Sequence, residues 1–292
     1  MSEPIVPFGT DTGIVDVNGN PICTGFVDMS NDDYHASAGI SKTHLDTIWK
    51  HSPRHYWHRY VNPNREPEEK TPALINGSAI HTAALEWERF KRYYVETPTF
   101  NRRLKTEREA YNRFIEGHAG QIALGHADYE MAVNIRRAIS RHPVASGLLS
   151  GGFAEQSCFA IDPDTGELIK CQPDYISADF SYAVDLKTTN DASPTEFARS
   201  VANYRYAVQE AWYRRVIKAA VGVEPEKYVF IAVEKEEPYA IGIYTLTRSD
   251  VNIAAAAAQR DFDEIVKHRA LDQWPDYGYQ INELVLPTWT KM

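Results

Sequence analysis

Residues 170–189 read KCQPDYISADFSYAVDLKTT, and the interpretation of this stretch decides the fold. Residues 168–175 alternate, with Lys170, Gln172 and Asp174 on one face and Ile169, Cys171 and Tyr175 on the other. Residues 177–181 supply a turn, and 182–188 form a second short run. Period two sets Asp185 and Lys187 on one face and turns Val184 and Leu186 towards a core. Paired as a hairpin, the two strands bring Asp174 opposite Asp185, at the roughly 4.5–5.5 Å Cβ spacing of facing side chains.

Two carboxylates that close repel each other unless a cation lies between them. A site with oxygen donors and few protein ligands suits Mg²⁺, with Mn²⁺ able to substitute; both are hard ions that commonly sit beside substrate phosphates. A lysine two residues from such an aspartate can hold or deprotonate an attacking water and stabilise charge on phosphorus. The competing reading makes Asp174 a turn cap and Asp185–Lys187 a solvated strand end.

The remaining composition is that of an ordinary globular chain: 292 residues, 43% hydrophobic and 24% charged, enough for one large domain or two small ones. With no run of 18 apolar residues and no basic, apolar opening, neither a membrane span nor a signal peptide is expected, and the location is cytoplasmic. Cys23, Cys158 and Cys171 form no CxxC pair and read as reduced thiols. A net charge of −9 argues against a general nucleic-acid coat but not against one basic groove.

Residues 1–35 form a loose leader with a short hairpin near Gly13–Asn20, and residues 36–292 a single domain. Ser41 caps a helix with Leu45, Ile48 and Trp49 on its apolar side, and Pro53 opens an aromatic helix in which Arg54 and Arg59 are candidate phosphate contacts. A polar loop over 62–72 precedes a helix that starts at Gly77–Ser78 and carries His81. Helices follow near 106–117 and 127–139, led by the basic run Arg102, Arg103, Lys105 and Arg108. Residues 153–161 alternate as one strand bearing Glu155, and Asp162–Gly166 is a turn into the central hairpin. Ser193-Pro194-Thr195-Glu196 is a capping box, 205–221 a helix, 227–233 and 239–246 strands, and 249–268 a final helix.

In order, the chain offers GSAIH at 77–81, P-D at 173–174, D-L-K at 185–187 and QEAWY at 209–213. This series resembles the RecB-like branch of the PD-(D/E)XK nucleases, whose pattern is G-x-x-x-H, P-D, D-x-K and Q-x-x-x-Y. The opening ISKTHLDTIWKHSPRHYW further looks like the RecE (exonuclease VIII) group and its phage and prophage relatives. The resemblance implies an α/β (α+β) restriction-endonuclease-like core, a central mixed β-sheet flanked by helices. It makes His81, Asp174 and Asp185 metal ligands with the Leu186 backbone carbonyl, Glu155 a further acid, and Lys187 the catalytic lysine beside Asp174 and Asp185. Gln209 and Tyr213 would support the site or touch substrate, and Ser41, Arg54 and Arg59 are further candidate substrate contacts. The implied activity is Mg²⁺-dependent exonucleolytic hydrolysis from duplex DNA ends, 5′ to 3′, leaving single-stranded tails for recombination. A ring-shaped homo-oligomer (tetramer or trimer) and a single-strand annealing recombinase of the RecT type are the implied partners. Trp274, Tyr277, Tyr279 and Trp289 are able to anchor the tail or a neighbouring subunit, and the acidic loop at 234–237 is a second candidate contact. A structure-specific endonuclease and a non-catalytic DNA-end or protein-binding module on the same fold stay open alternatives.

Overall fold

Short strands alternate with helices along the chain, which a computed structural model describes over residues 11–15, 21–66, 69–100, 103–278 and 280–286. The first third contains β1 (Asp11–Val15), β2 (Pro21–Cys23), β3 (Gly25–Val27), α1 (Asn31–Ala36), α2 (Lys42–Lys50) and α3 (Pro53–Tyr56), the last continued by a π-helical turn at Trp57–Val61. Then come α4 (Pro72–Leu85), α5 (Trp87–Tyr93), β4 (Tyr94–Glu96), α6 (Lys105–Gly117), β5 (Ile122–Leu124), α7 (His126–Arg141) and α8 (Pro143–Leu148). The remainder is β6 (Gly152–Ala154), β7 (Ser157–Ile161), β8 (Leu168–Cys171), β9 (Tyr175–Ser177), β10 (Tyr182–Thr189), α9 (Pro194–Asn203), α10 (Tyr206–Val221), β11 (Lys227–Glu234), β12 (Ile241–Tyr244) and α11 (Arg248–Leu271).

The chain divides into two compact units, one of Met1–Lys42 with Glu68–Ala258, the other of Thr43–Pro67 with Gln259–Met292. In the first, a mixed five-stranded sheet has the order β12-β11-β10-β9-β6. Only β10 and β11 run parallel in it, joined through α9 and α10, the crossover that parallel neighbours require. A separate antiparallel sheet has the order β3-β7-β8. This is the expected mixed sheet flanked by helices.

Period two in β10 and β11 sorts the core. Val184, Leu186, Val229, Ile231 and Val233 pack with Ala79, Ile80 and Ala83 of α4 and with Ala132, Ile135 and Ile139 of α7. The intervening residues belong to the opposite face: Phe230 meets Phe197 of α9 at 6.2 Å, and Tyr228 meets Tyr213 of α10 at 6.2 Å.

Several elements differ from the sequence expectation. The helix bearing His81 begins at Pro72, because Thr71 accepts a hydrogen bond from the Leu74 amide and Pro72 suits the first turn; Gly77 and Ser78 are interior. Residues 153–161 fall in two strands, and the single run expected over 168–175 is β8 followed by the start of β9. The first pair breaks where Glu155 turns left-handed, with φ of 50°. The second breaks at Pro173, which has no N–H for a ladder. Both breaks carry the chain from one sheet to the other. Helix α9 starts where expected, but Ser193 makes no side-chain cap bond and Glu196 pairs with Arg199. Trp49 is 53% exposed rather than core.

Part of the expected leader is ordered. Strands β1 and β2, which flank rather than fill the stretch expected as a hairpin, pair antiparallel, β3 joins the three-stranded sheet, and Tyr34 of α1 is buried. Lys170 of β8 is almost fully buried, and its Nζ donates to the Tyr34 and Ser37 carbonyls, each at 2.6 Å. It thereby ties the end of α1 to the sheet; burial pushes its pKa down to about 7. Cys158 and Cys171 sit opposite each other in the β7–β8 ladder as buried free thiols.

In the second unit, Tyr56 is buried and stacks on Trp274 with centroids 5.6 Å apart, while His55 meets Tyr277 at 5.8 Å. Trp274 therefore anchors its own tail. Tyr279 and Trp289 lie outside the described residues, as does Arg102.

The core assignment predicts that Ile135→Ala, at a fully buried position, lowers the unfolding free energy by about 2–5 kcal/mol. Ile253→Ala, at a position 68% exposed, should stay within about 0.5 kcal/mol of the parent. Urea denaturation of both variants checks the contrast.

Candidate metal centre

The hairpin register runs Ala183 against Ile176 and Val184 against Tyr175, one residue short of Asp185 and Asp174. Strand β9 has ended by then. In place of a backbone carbonyl, Asp174 Oδ2 accepts the Leu186 amide at 2.5 Å. The other carboxylate oxygen, Oδ1, lies 3.5 Å from Nδ1 of His81, which α4 presents from the core side. Glu155 completes the cluster: the left-handed backbone at the break between β6 and β7 sends its Oε1 to 3.6 Å from the same imidazole nitrogen. The Glu155 amide donates to the Asp174 carbonyl at 3.0 Å, which fixes one chain break against the other.

Across the Leu186 amide lies the second half of the site. Asp185 is fully buried. Its Oδ1 accepts from Gln209 Nε2 at 2.9 Å, and its Oδ2 is 2.6 Å from Lys187 Nζ without an aligned hydrogen bond. The Lys187 ammonium also lies 4.7 Å from the centre of the Tyr206 ring.

These contacts set the protonation states. Burial disfavours the His81 cation, but Asp174 and Glu155 outweigh it and hold the imidazole well above its ordinary range. Burial raises Glu155, with His81 opposing. Asp174 moves the other way, because His81, Lys187 and the Leu186 amide overcome its burial. Burial lifts Asp185 to about 6 against the pull of Lys187, while Lys187, despite burial, is held above its usual value by Asp185 and Asp174.

His81, Glu155 and Asp174 offer one imidazole nitrogen and two carboxylate oxygens within 4.8 Å of one another. This set fits a divalent ion with hard-donor preference, as does the unaligned, buried Oδ2 of Asp185 nearby. Asp185, expected as a ligand, is engaged by Lys187 and Gln209, whereas Glu155, expected as a further acid, sits inside the cluster. Tyr213 packs edge-on against Tyr228. Ser41 is buried just ahead of α2, and Arg54 and Arg59 are exposed in the second unit. Sequence reasoning missed the contact of Tyr206 with Lys187; the aromatic at the start of the Q-x-x-x-Y helix was its only trace.

Residues 45–285 match the family described as the PDDEXK-like domain of unknown function (DUF3799), and the chain belongs to that family. No curated protein matches it. Among solved structures it is similar to a presumptive exonuclease from Eubacterium rectale, with a TM-score of 0.60 and 14% identity over 89% of this chain and 97% of that one. At that identity the likeness is one of fold. An alkaline exonuclease from Laribacter hongkongensis (TM-score 0.27, 11% identity, 66% of this chain and 91% of that) is more distant. So is a phage related exonuclease from Haemophilus somnus (TM-score 0.29, 11% identity, 67% and 99%). The fold is the PD-(D/E)XK one that the four motifs implied.

The charge pattern predicts the pH dependence of metal binding. A ligand set needs His81 neutral and the carboxylates ionised, so a raised His81 pKa and an Asp185 pKa of about 6 both make protons compete with the ion. Calorimetric affinity for Mn²⁺ should tighten by more than about tenfold from pH 6 to pH 8, with proton release. His81→Gln should lose most of that release. Affinity that stays flat over this range would overturn the assignment.

Proposed function

We propose that this chain is a metal-dependent DNA exonuclease that hydrolyses phosphodiester bonds from duplex ends, 5′ to 3′, leaving single-stranded tails for recombination. The observation that carries the reading is the two-sided site. Asp174 faces His81 and Glu155 with one oxygen and holds the Lys187 strand with the other. A presumptive exonuclease with the same fold at 14% identity supports it.

Hydrolysis requires a water aligned behind the scissile P–O bond, removal of its proton, and relief of charge on the leaving 3′ oxygen. A bound divalent ion, Mg²⁺ by preference, would acidify the water so that its proton passes to bulk solvent, and would neutralise charge on the phosphate. His81, Glu155 and Asp174 would hold it. Lys187 is kept as an ammonium by Asp185, so it donates rather than accepts: it orients the water oxygen and faces the developing negative charge. Gln209 fixes the Asp185 carboxylate and thereby the direction of Lys187. The RecE-type resemblance extends the proposal to a ring-shaped homo-oligomer of three or four chains, in which a free DNA end is needed for entry. It also extends it to a cytoplasmic setting and a single-strand annealing partner of the RecT type.

Linear duplex labelled at the 5′ or the 3′ end, beside a closed circle, tests the reading. Early release of the 5′ label, an intact circle and silence in EDTA are expected. Asp174→Asn and Lys187→Ala should each lower kcat by at least about 100-fold with the protein still folded. Cleavage of the circle would make the protein an endonuclease, and near-parental activity of Asp174→Asn would remove the site.

A further inference from the structure

The link between α9 and α10 carries an aromatic pair that the mechanism above leaves unused. Tyr204 follows the last turn of α9, Tyr206 opens α10, and Arg205 between them is left-handed, with φ of 54°. That conformation costs energy for any residue with a Cβ, and such strain collects at working sites. Its local effect is plain. Side chains two positions apart do not face each other on a continuous helix, yet the rings of Tyr204 and Tyr206 stack here at 5.6 Å with 23° between their planes. The Tyr206 ring is half-buried, lies 4.7 Å from Lys187 Nζ and stacks on Phe230 at 6.1 Å. Tyr204 is 62% exposed, and its carbonyl accepts from Lys42 Nζ at 2.9 Å. The link thus presents one exposed aromatic ring stacked on the side chain that touches Lys187.

An open, pre-positioned aromatic face beside a phosphate-handling lysine matches the chemistry of an unstacked nucleobase, whose π-face any aromatic ring accepts regardless of sequence. Resting on the nuclease reading above, we infer that Tyr204 is the platform on which a base next to the scissile phosphate stacks, with Tyr206 relaying its position to Lys187. The ligand is accordingly a strand end with at least one base unpaired, rather than fully stacked duplex.

Binding of single-stranded oligonucleotides in Ca²⁺, which supports binding with little turnover expected, tests this without relying on activity. One series carries an abasic site at each successive position. The unmodified chain should bind the intact oligonucleotide about tenfold more tightly than one member of the series. Tyr204→Ala should erase that difference, and Tyr204→Phe should keep it. 2-Aminopurine at the sensitive position should be quenched by the parent and by Tyr204→Phe, but not by Tyr204→Ala. Discrimination that survives intact in Tyr204→Ala overturns the inference, as does a parent that degrades labelled duplex yet treats every abasic position alike. A parent that neither binds the oligonucleotides nor degrades duplex overturns the nuclease reading and this inference with it.

Discussion

The hydrogen bond from the Leu186 amide to Asp174 Oδ2 organises the site. The Leu186 N–H needs an acceptor, and a buried amide left without one costs about 1–3 kcal/mol. The neighbouring strand β9 begins only at Tyr175, and beyond it the Asp174 carboxylate supplies the acceptor. One acid therefore works as a rung of the sheet and as a member of the cluster, so the two halves of the site hold register without a flexible loop between them. The geometry of His81 and Glu155 on one side and of Asp185 and Lys187 on the other then follows from strand pairing and from the packing of α4 and α10.

Such a cluster is a burden on the folded chain. Asp185 is fully buried with one oxygen imperfectly matched, Glu155 is raised by its surroundings, and His81 keeps a proton that a ligand role would require it to give up. Coulombic gain among desolvated charges seldom exceeds the cost of removing them from water. The arrangement is better understood as stability given up to hold charge ready, with the apolar layer between β10, β11, α4 and α7 supplying the surplus.

Much of this was legible in the residues. Alternation over 182–188 gave β10 its correct faces, and the P-D to D-L-K spacing brought Asp174 to the strand that carries Asp185, where it meets the Leu186 amide, because a hairpin register is a local property. Ala132, Ile135 and Ile139 marked the buried stripe of α7. The breaks at Glu155 and Pro173 were hidden because the apolar–polar alternation runs through them in the sequence, while the change of partner depends on pairing, which is non-local. The same blindness concealed Cys158 facing Cys171, and Tyr206 against Lys187. Each depends on how separate segments come together, and neither leaves a periodic mark.

Lys170 bears on where this folding unit begins. Its amino group is inside the protein, and its acceptors are the Tyr34 and Ser37 carbonyls at the end of α1. The family match starts only at residue 45. A boundary drawn by kinship would thus cut away the two carbonyls and leave a buried amine without its acceptors. Heredity and mechanics delimit this domain differently, and it is the mechanical border, upstream of α1, that a shortened chain has to respect.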